Sequence, residues 1–453
     1  MNTSITPALT PSSQSSVAQD PQKKRFLYKL SAVIAGGMFI DGFILGGIGL
    51  VMPALTADLD LSFAWQGLIG ASALIGIFFG GPIGGYLADK IGRKPMFIVD
   101  LAIFLVGSAA QFFVAEPWQL FAIRLLMGMA IGADYAIGWP LLAEFSPARL
   151  RGKLLAFQEV AWYVGYLGSY ALGYFLSTAI HADWRIILGM STVPSLIVFL
   201  LRLGSPESPR WLISKGRIEE GLAIANEHME EADVEELAGE KRQSTSFSRL
   251  FSPQYRKATI FACVYWAANV TPYYAIGTFA PIVLESLGVQ DGLAGALLLN
   301  GVAVAGAVAA MFLIERVGRR KLAIPPMWIG AAALILIGLF AHVSPMIILA
   351  CFLAFSFTNA ISSSLCGVYP GEIFPTEIRG AGVGLATAFS RVGGAAGTFI
   401  LPLSVEVLGT GTTVLIAAGF CALGGLTAQL LAPETKGLSL SQASAPLTRA
   451  GVK

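Results

Sequence analysis

The sequence predicts an all-α polytopic membrane protein, with 12 transmembrane helices in two six-helix, pseudo-symmetric bundles. Three observations predict it. Of 453 residues, 55% are hydrophobic and only 13% charged, against about 25% charged in an average soluble domain, so too little polar surface remains to coat a soluble protein of this size. The apolar residues fall in long runs. Three charged motifs occur twice, at nearly one interval.

A bilayer core needs roughly 20 apolar residues per helix. Twelve runs qualify: 29–54, 65–88, 96–115, 118–143, 154–178 and 185–203, then 257–286, 292–314, 322–342, 345–369, 381–406 and 411–432. They read as helices because barrel strands alternate over about 10 residues and these runs do not. Gly76, Gly80 and Gly84 form a ladder at spacing four in the second run, the pattern of closely packed membrane helices. Residues 1–28 are rich in Ser, Thr, Pro and Gln, end in Lys23-Lys24-Arg25 and lack the apolar stretch of a signal peptide. They are expected to be a disordered cytosolic N-terminal tail. The bundles are expected at 29–203 and 257–432, a cytosolic linker with short helices at 204–256, and a cytosolic C-terminal tail at 433–453.

Basic residues set the orientation. The loops after runs 2, 4, 6, 8 and 10 carry Lys90, Arg93 and Lys94; Arg149, Arg151 and Lys153; a cluster from Arg202 to Lys257; Arg316, Arg319, Arg320 and Lys321; and Arg379. The alternate loops hold acids or histidine, with Arg185 at the start of the sixth run the nearest exception. Basic loops stay on the cytosolic side, so both termini are expected there.

The composition also excludes. Cys263, Cys351, Cys366 and Cys421 lie in apolar runs and form no Cys-x-x-Cys pair, which argues against a disulfide framework or a metal site. The chain has no Gly-x-x-x-x-Gly-Lys-Ser/Thr phosphate loop, and His181, His228 and His342 lie in loops or at run ends. Neither ATP-driven pumping nor enzymatic catalysis is expected, and no nucleic acid is expected as a partner.

The repeat is carried by charge. GGYLADKIGRKP (Gly84 to Pro95) returns as Glu315-Arg316-Val317-Gly318-Arg319-Arg320-Lys321, with Asp89 and Glu315 226 residues apart. Ala143 to Gly152 echoes Gly371 to Gly380, with Glu144 and Glu372 228 residues apart. Pro206 to Leu212 echoes Pro433 to Gly437, with Glu207 and Glu434 227 residues apart. Parallel six-span repeats imply a pseudo-twofold axis along the membrane normal.

GGYLADKIGRKP, EFSPARLRG, PESPRWL, EIFPTEIRG and PETKG together resemble the major facilitator superfamily, in its sugar-porter and metabolite–proton symporter branch, over about residues 29–437. Gly132-Ala-Asp-Tyr-Ala136 with Ser390-Arg-Val-Gly393 is more similar to bacterial metabolite–proton symporters and synaptic-vesicle-like members than to classical hexose carriers. The resemblance implies the major facilitator fold and secondary transport by alternating access. It implies a proton gradient as driving force without a cofactor, and a small-molecule substrate, protons and the lipid bilayer as partners of a monomer in the bacterial inner membrane. It also assigns the loop charges a gating role: Asp89, Arg93, Glu144 and Arg151 in one half, Glu315, Arg319, Glu372 and Arg379 in the other. The plainer reading of these charges is anchoring and topology alone.

Charges within the apolar runs are functional candidates, because each costs on the order of 2.5–3.5 kcal/mol at mid-membrane. Asp41 and Arg124 are expected to pair, and proton-coupled sugar porters place an Asp and an Arg at the matching positions. A carboxylate facing a guanidinium stays ionised, and separating the two would let it take a proton. A static pair that fixes packing is the alternative. Asp134 is expected near the external end of its run, as a solvated cap. Glu159 opens the fifth run and faces the cavity in the family register. Arg391 needs a counter-charge: a substrate carboxylate, Glu406 or a backbone carbonyl.

Hexose carriers read hydroxyls with amides, which donate and accept. Here the fifth-run glutamines of the family align with Glu159 and Tyr166, the seventh-run amides with Ala268, Asn269 and Tyr274, and the tenth-run tryptophan with Gly367. The substrate-binding candidates are therefore Glu159, Tyr166, Asn269, Tyr273, Tyr274, Asn300, Asn359, Arg391 and Asp134. The expected function is proton-coupled import of a small polar metabolite such as a sugar, sugar acid or organic acid. An exporter or uniporter would use the same fold, as would a non-transporting membrane sensor.

Overall fold

The computed structural model describes residues 21–230, 234, 237, 246–278, 280, 283–284, 287–288, 292–340 and 344–444. Nine helices among them are long and apolar enough to cross a bilayer. They are the first span Pro21–Leu59, second Ala64–Ile91, third Arg93–Phe113, fourth Pro117–Phe145, sixth Trp184–Arg202, eighth Gly295–Val317, ninth Arg319–Leu339, tenth Pro345–Ile373 and twelfth Thr410–Leu431. Three further helices are long but more polar: the fifth Ala148–Ala179, seventh Arg256–Thr278 and eleventh Thr376–Leu408. Those three carry Glu159, Asn269 and Arg391.

The glycine ladder packs the second span on the fourth. A Cβ at Gly76, Gly80 or Gly84 would lie 2.2 Å from Leu125 O, 2.0 Å from Met129 O and 2.4 Å from Ala133 Cβ, respectively. Each step on one helix meets a step of four on the other. The halves meet where the second span packs on the eleventh and the fifth on the eighth. A twofold axis that exchanges spans 1–6 with 7–12 turns one of these contacts into the other. Gly81 faces Gly384 and Gly85 faces Gly380 across the first of them, backbone against backbone. Phe79, Ile83, Val106, Leu200, Leu336 and Leu403 stay exposed on the outer surface, as lipid-facing side chains do.

Three boundaries differ from expectation. The helix begins at Pro21, inside the segment read as a disordered tail. Proline suits a first helical position, and the linker holds this stretch: Lys23 Nζ donates to Met229 O at 2.6 Å and the Phe26 ring stacks on His228 at 3.8 Å. The sixth span is two helices, Trp184–Gly189 and Thr192–Arg202, because Pro194 has no N–H for the carbonyl of residue 190. Residues 440–443 of the C-terminal tail form a helical turn with Leu440 and Ala443 buried. Arg185, the exception in the charge pattern, is paired with Asp58 at 2.9 Å and Asp183 at 3.4 Å. Residues 1–20, 445–453 and His342 lie outside the described residues.

Candidate functional site

The repeated loop charges gather on one face, here called the basic face. Gly92 and Gly318 take φ of +115° and +96°, which glycine alone adopts easily. Each lets a glutamate cap the next helix. Glu207 accepts from Arg93 N at 3.0 Å and Lys94 N at 3.1 Å, and Glu434 from Arg319 N at 3.0 Å and Arg320 N at 3.2 Å. Arg93 pairs with Asp89 at 3.5 Å and Glu144 at 2.6 Å. Arg319 pairs with Glu315 at 2.8 Å and Glu372 at 2.9 Å. Ser208 donates to Glu144 and Thr435 to Glu372. The two halves thus repeat one buried network.

Those networks also join the halves. Arg379 Nη1 of the eleventh span donates to Glu144 at 3.1 Å, and Ala381 N to Asp89 at 3.0 Å. Lys153 N of the fifth span donates to Glu315 at 3.3 Å. Arg151 donates to Ala143 O and Ser146 O of its own half and to Leu438 O of the C-terminal segment. Charge-assisted hydrogen bonds with no water to compete are the strong kind, so the basic face is closed.

A cavity lies between the halves, on the inner surfaces of the spans. Its free volume is about 30 Å³, room for one water. Of the substrate candidates, Glu159, Asn269, Tyr273, Tyr274 and Arg391 line it. Glu159 is not at a helix start: the fifth helix begins eleven residues earlier at Ala148, which carries Glu159 to the cavity. It accepts from Ser363 Oγ at 2.7 Å, across the space between the halves. Asn269 donates to Ser362 Oγ at 2.7 Å. The Arg391 guanidinium sits 5.6 Å from the Tyr135 ring and 5.3 Å from the Tyr274 ring, within cation–π range. Its Nε and Nη1 are buried with no hydrogen-bond partner among the described residues. The side chain of Glu406, one expected counter-charge, lies outside the described residues.

Two candidates stand one layer back. Tyr166 stacks on Trp162 at 5.4 Å, and Asn359 donates to Asn269 O at 3.1 Å. Asn300 turns away, donating to Ala296 O of its own helix at 2.9 Å. At Gly367, where the resemblance implies a tryptophan, an added Cβ would lie 2.3 Å from the indole of Trp139. The aromatic ring is supplied from the fourth span instead.

The expected Asp41–Arg124 pair is not made. Arg124 Nη1 donates to Ile44 O at 3.4 Å, while its Nε and Nη2 and both carboxylate oxygens of Asp41 lack hydrogen-bond partners among the described residues. The fourth span runs antiparallel to the first and sets Arg124 beside Ile44, nearly a turn past Asp41. The charges that act on Asp41 are Asp134, Arg202, Asp100 and Arg391. Asp134 is likewise not a solvated cap. It is 1% exposed and binds Arg202 through two hydrogen bonds of 2.8 and 3.3 Å. It lies seventeen residues beyond Pro117 and eleven before Phe145, more than halfway along its helix.

Sequence reasoning singles out neither Asp100 nor Arg202 as a site residue. Asp100 stands inside the third apolar run, and the rule that picks out Asp41 would have found it. Arg202 reads as the first basic residue of the linker, and no local signal shows that it points inward. In the structure it is 2% exposed, 3.6 Å from Asp100, with its guanidinium 3.8 Å from the centre of the Phe97 ring.

The family described as Sugar (and other) transporter matches residues 14–446. The chain is 38% identical over 421 residues to the inner membrane metabolite transport protein YgcS of Escherichia coli K12, spanning 92% of this chain and 93% of that protein. It is 29% identical over 387 residues to the niacin transporter NiaP of Acinetobacter baylyi, spanning 83% and 87%. Among solved structures, the proton:xylose symporter XylE bound to 6-bromo-6-deoxy-D-glucose shares the fold with a TM-score of 0.82 at 22% identity, over 93% of this chain and 99% of that one. A family match over nearly the whole length and a relative at 38% identity establish that this multi-pass integral membrane protein belongs to the sugar transporter family of the major facilitator superfamily, and is a metabolite transporter rather than an enzyme.

Proposed function

We propose that the chain imports a small polar metabolite together with protons, by alternating access. It works as a monomer in a bacterial inner membrane, with no cofactor, and with the basic face and both termini in the cytosol. One observation carries the proton coupling: the carboxylate of Asp41 is wholly buried, and neither oxygen has a hydrogen-bond partner among the described residues. Ionised, it would cost several kcal/mol; with a proton bound, far less. The closed basic face therefore suits a protonated Asp41. Opening of the cavity to water, or approach to Arg124, suits its release of the proton.

Of the expected substrates, the cavity favours an organic or sugar acid over a neutral sugar. Arg391 lines it with an Nε and an Nη1 that have no hydrogen-bond partner among the described residues, aromatic rings form its walls, and of the amides of a hexose site only Asn269 lines it. Relatives are named for niacin and for myo-inositol, the first compound a carboxylic acid and the second a polyol.

The test is a thermal-shift screen of the purified protein against glucose, gluconate, nicotinate and choline, run beside Arg391→Ala. Stabilisation by gluconate or nicotinate that disappears in the variant is expected. Stabilisation by glucose alone would discard the acid reading. With the compound so found, Asp41→Asn in proteoliposomes is expected to lose accumulation driven by a pH gradient while keeping counterflow exchange. Accumulation that survives would remove the coupling role, and net flux against an inward proton gradient would make the protein an exporter.

A further inference from the structure

We infer that Asp100, Asp134 and Arg202 form, with Asp41, a second proton-holding site buried in the N-terminal bundle, which takes the proton from Asp41 and passes it toward the basic face. The inference rests on the proposed proton coupling and adds where the proton goes next.

The site is built from four spans. Arg202 of the sixth span holds both oxygens of Asp134 from the fourth, at 2.8 and 3.3 Å, and stands 3.6 Å from Asp100 Oδ2 of the third. The first span is notched to admit it. A Cβ at Gly37 would lie 1.8 Å from Arg202 Nη2 and 2.5 Å from Asp134 Oδ2, so only glycine fits. Asp41 follows Gly37 by four residues, which puts it on the same face one turn later. Arg202 also donates to Val33 O and Ile34 O of the first span, each at 3.4 Å.

Charge counting then requires a resident proton. Asp41, Asp100 and Asp134 are at most 1% exposed. The cations that act on Asp41 are Arg202 and, from the eleventh span, Arg391. Arg124 faces a backbone carbonyl instead. Tyr135 of the fourth span is near Asp41, and Gln158 of the fifth donates through Nε2 to Ser31 and Leu154 while its Oε1 has no hydrogen-bond partner among the described residues. With Asp41 holding its own proton, Asp100 and Asp134 still face the single guanidinium of Arg202, which leaves one negative charge in excess in a region where an uncompensated ion costs several kcal/mol. Two carboxylates on one guanidinium cannot both ionise freely, and a shared proton is the usual resolution. Asp100 has the free position for it. Its Oδ1 accepts from Leu101 N at 2.6 Å, while Oδ2 makes no hydrogen bond among the described residues.

Depth orders the groups. At about 1.5 Å per residue, Asp100 lies roughly 10 Å from the basic-face end of its helix at Arg93, and Asp134 roughly 16 Å from its own at Phe145. In the step proposed, an O–H bond of Asp41 breaks and one forms on the Asp100–Asp134 pair. The pair's own proton leaves toward the cytosol when the basic face opens, so charge and protons balance.

The test needs no substrate. Infrared spectra of the full-length protein in lipid, in H2O and D2O across pH, read the C=O stretch of protonated buried carboxyls. Asp100→Asn and Asp134→Asn are each expected to remove a component that Asp41→Asn leaves in place. Arg202→Lys, which keeps the charge but loses the two-armed grip, is expected to shift the midpoint of that component, and it decides the matter if an aspartate variant does not fold. Spectra of folded Asp100→Asn and Asp134→Asn that match the parent at every pH would overturn the inference. A component lost only in Asp41→Asn would overturn it too, while leaving the coupling role of Asp41 standing.

Discussion

The two halves agree at the basic face and part company inside the membrane. At the face, Asp89, Arg93, Glu144, Glu207 and Ser208 are matched by Glu315, Arg319, Glu372, Glu434 and Thr435, with Gly92 and Gly318 in the same positive-φ conformation. Inside, the N-terminal half holds Asp41, Asp100, Arg124, Asp134 and Glu159, and Arg202 reaches in from the sixth span. At that depth the C-terminal half answers with neutral groups, Asn269, Asn359, Ser362 and Ser363, and with the buried cation Arg391. Duplication repeats the charged network of the basic face in both halves, whereas the buried carboxylates at membrane depth lie in one half. On the alternating-access cycle proposed above, two rocking bodies would need the same latch on both, and proton coupling would need titratable groups on only one.

The largest effect should come from breaking the shared latch. Glu144→Gln leaves Arg93 and Arg379 short of a charge, at a cost of about 3–5 kcal/mol. Faster hydrogen exchange at residues 148–153 and 376–381 would report the opened basic face, and unchanged exchange would show that the latch is not what closes it. Next come Gly92→Ala and Gly318→Ala. Each forces a side chain into a positive-φ, extended conformation that only glycine adopts easily, about 1–3 kcal/mol, and against a capping glutamate. Melting temperatures should fall equally, and unequal losses would break the symmetry at the face. Asn269→Ala, in the neutral network, should cost about 1 kcal/mol and leave the pH dependence of melting unaltered. A shifted pH profile would show that the C-terminal half also titrates.

The smallest effect concerns an outlying contact. Burial, with Lys23 nearby, holds His228 below the ordinary histidine value against the opposing pull of Glu227. The neutral ring is therefore the packed form under Phe26. Its contribution is complete above the ordinary histidine range and is lost as pH falls through the lowered value. Hydrogen exchange over residues 21–30 should quicken at pH 5 relative to pH 7. Equal exchange would remove His228 as an anchor of the first span.

Much of the candidate site is legible in the sequence. Asp41, Glu159 and Arg391 were marked by being ionisable in apolar runs, and that mark does not depend on neighbours. Glu144 and Glu372 were marked by repetition. Asp100 carries the same mark as Asp41. Arg202 carried none, since a basic residue at the end of a span reads as topology. The pairing of Asp41 with Arg124 followed from residue type and family position, and failed on register. The same register puts Asp134 within reach of Arg202 and of the face that Asp41 shares with Gly37.

The amino-acid order alone is enough for the fold class and the duplication. Helix length, hydropathy and motif interval are properties of one dimension, and the bilayer imposes the rest by requiring every backbone group to be satisfied within a helix. Which buried charge meets which is a different kind of fact. Arg202 and Asp134 are 68 residues apart, and their contact depends on how four helices are rotated and slid past one another. A single glycine, Gly37, makes the space in which they meet. Only packing decides that, because a rotation of part of a turn would leave every run and motif intact while giving each of these charges another partner.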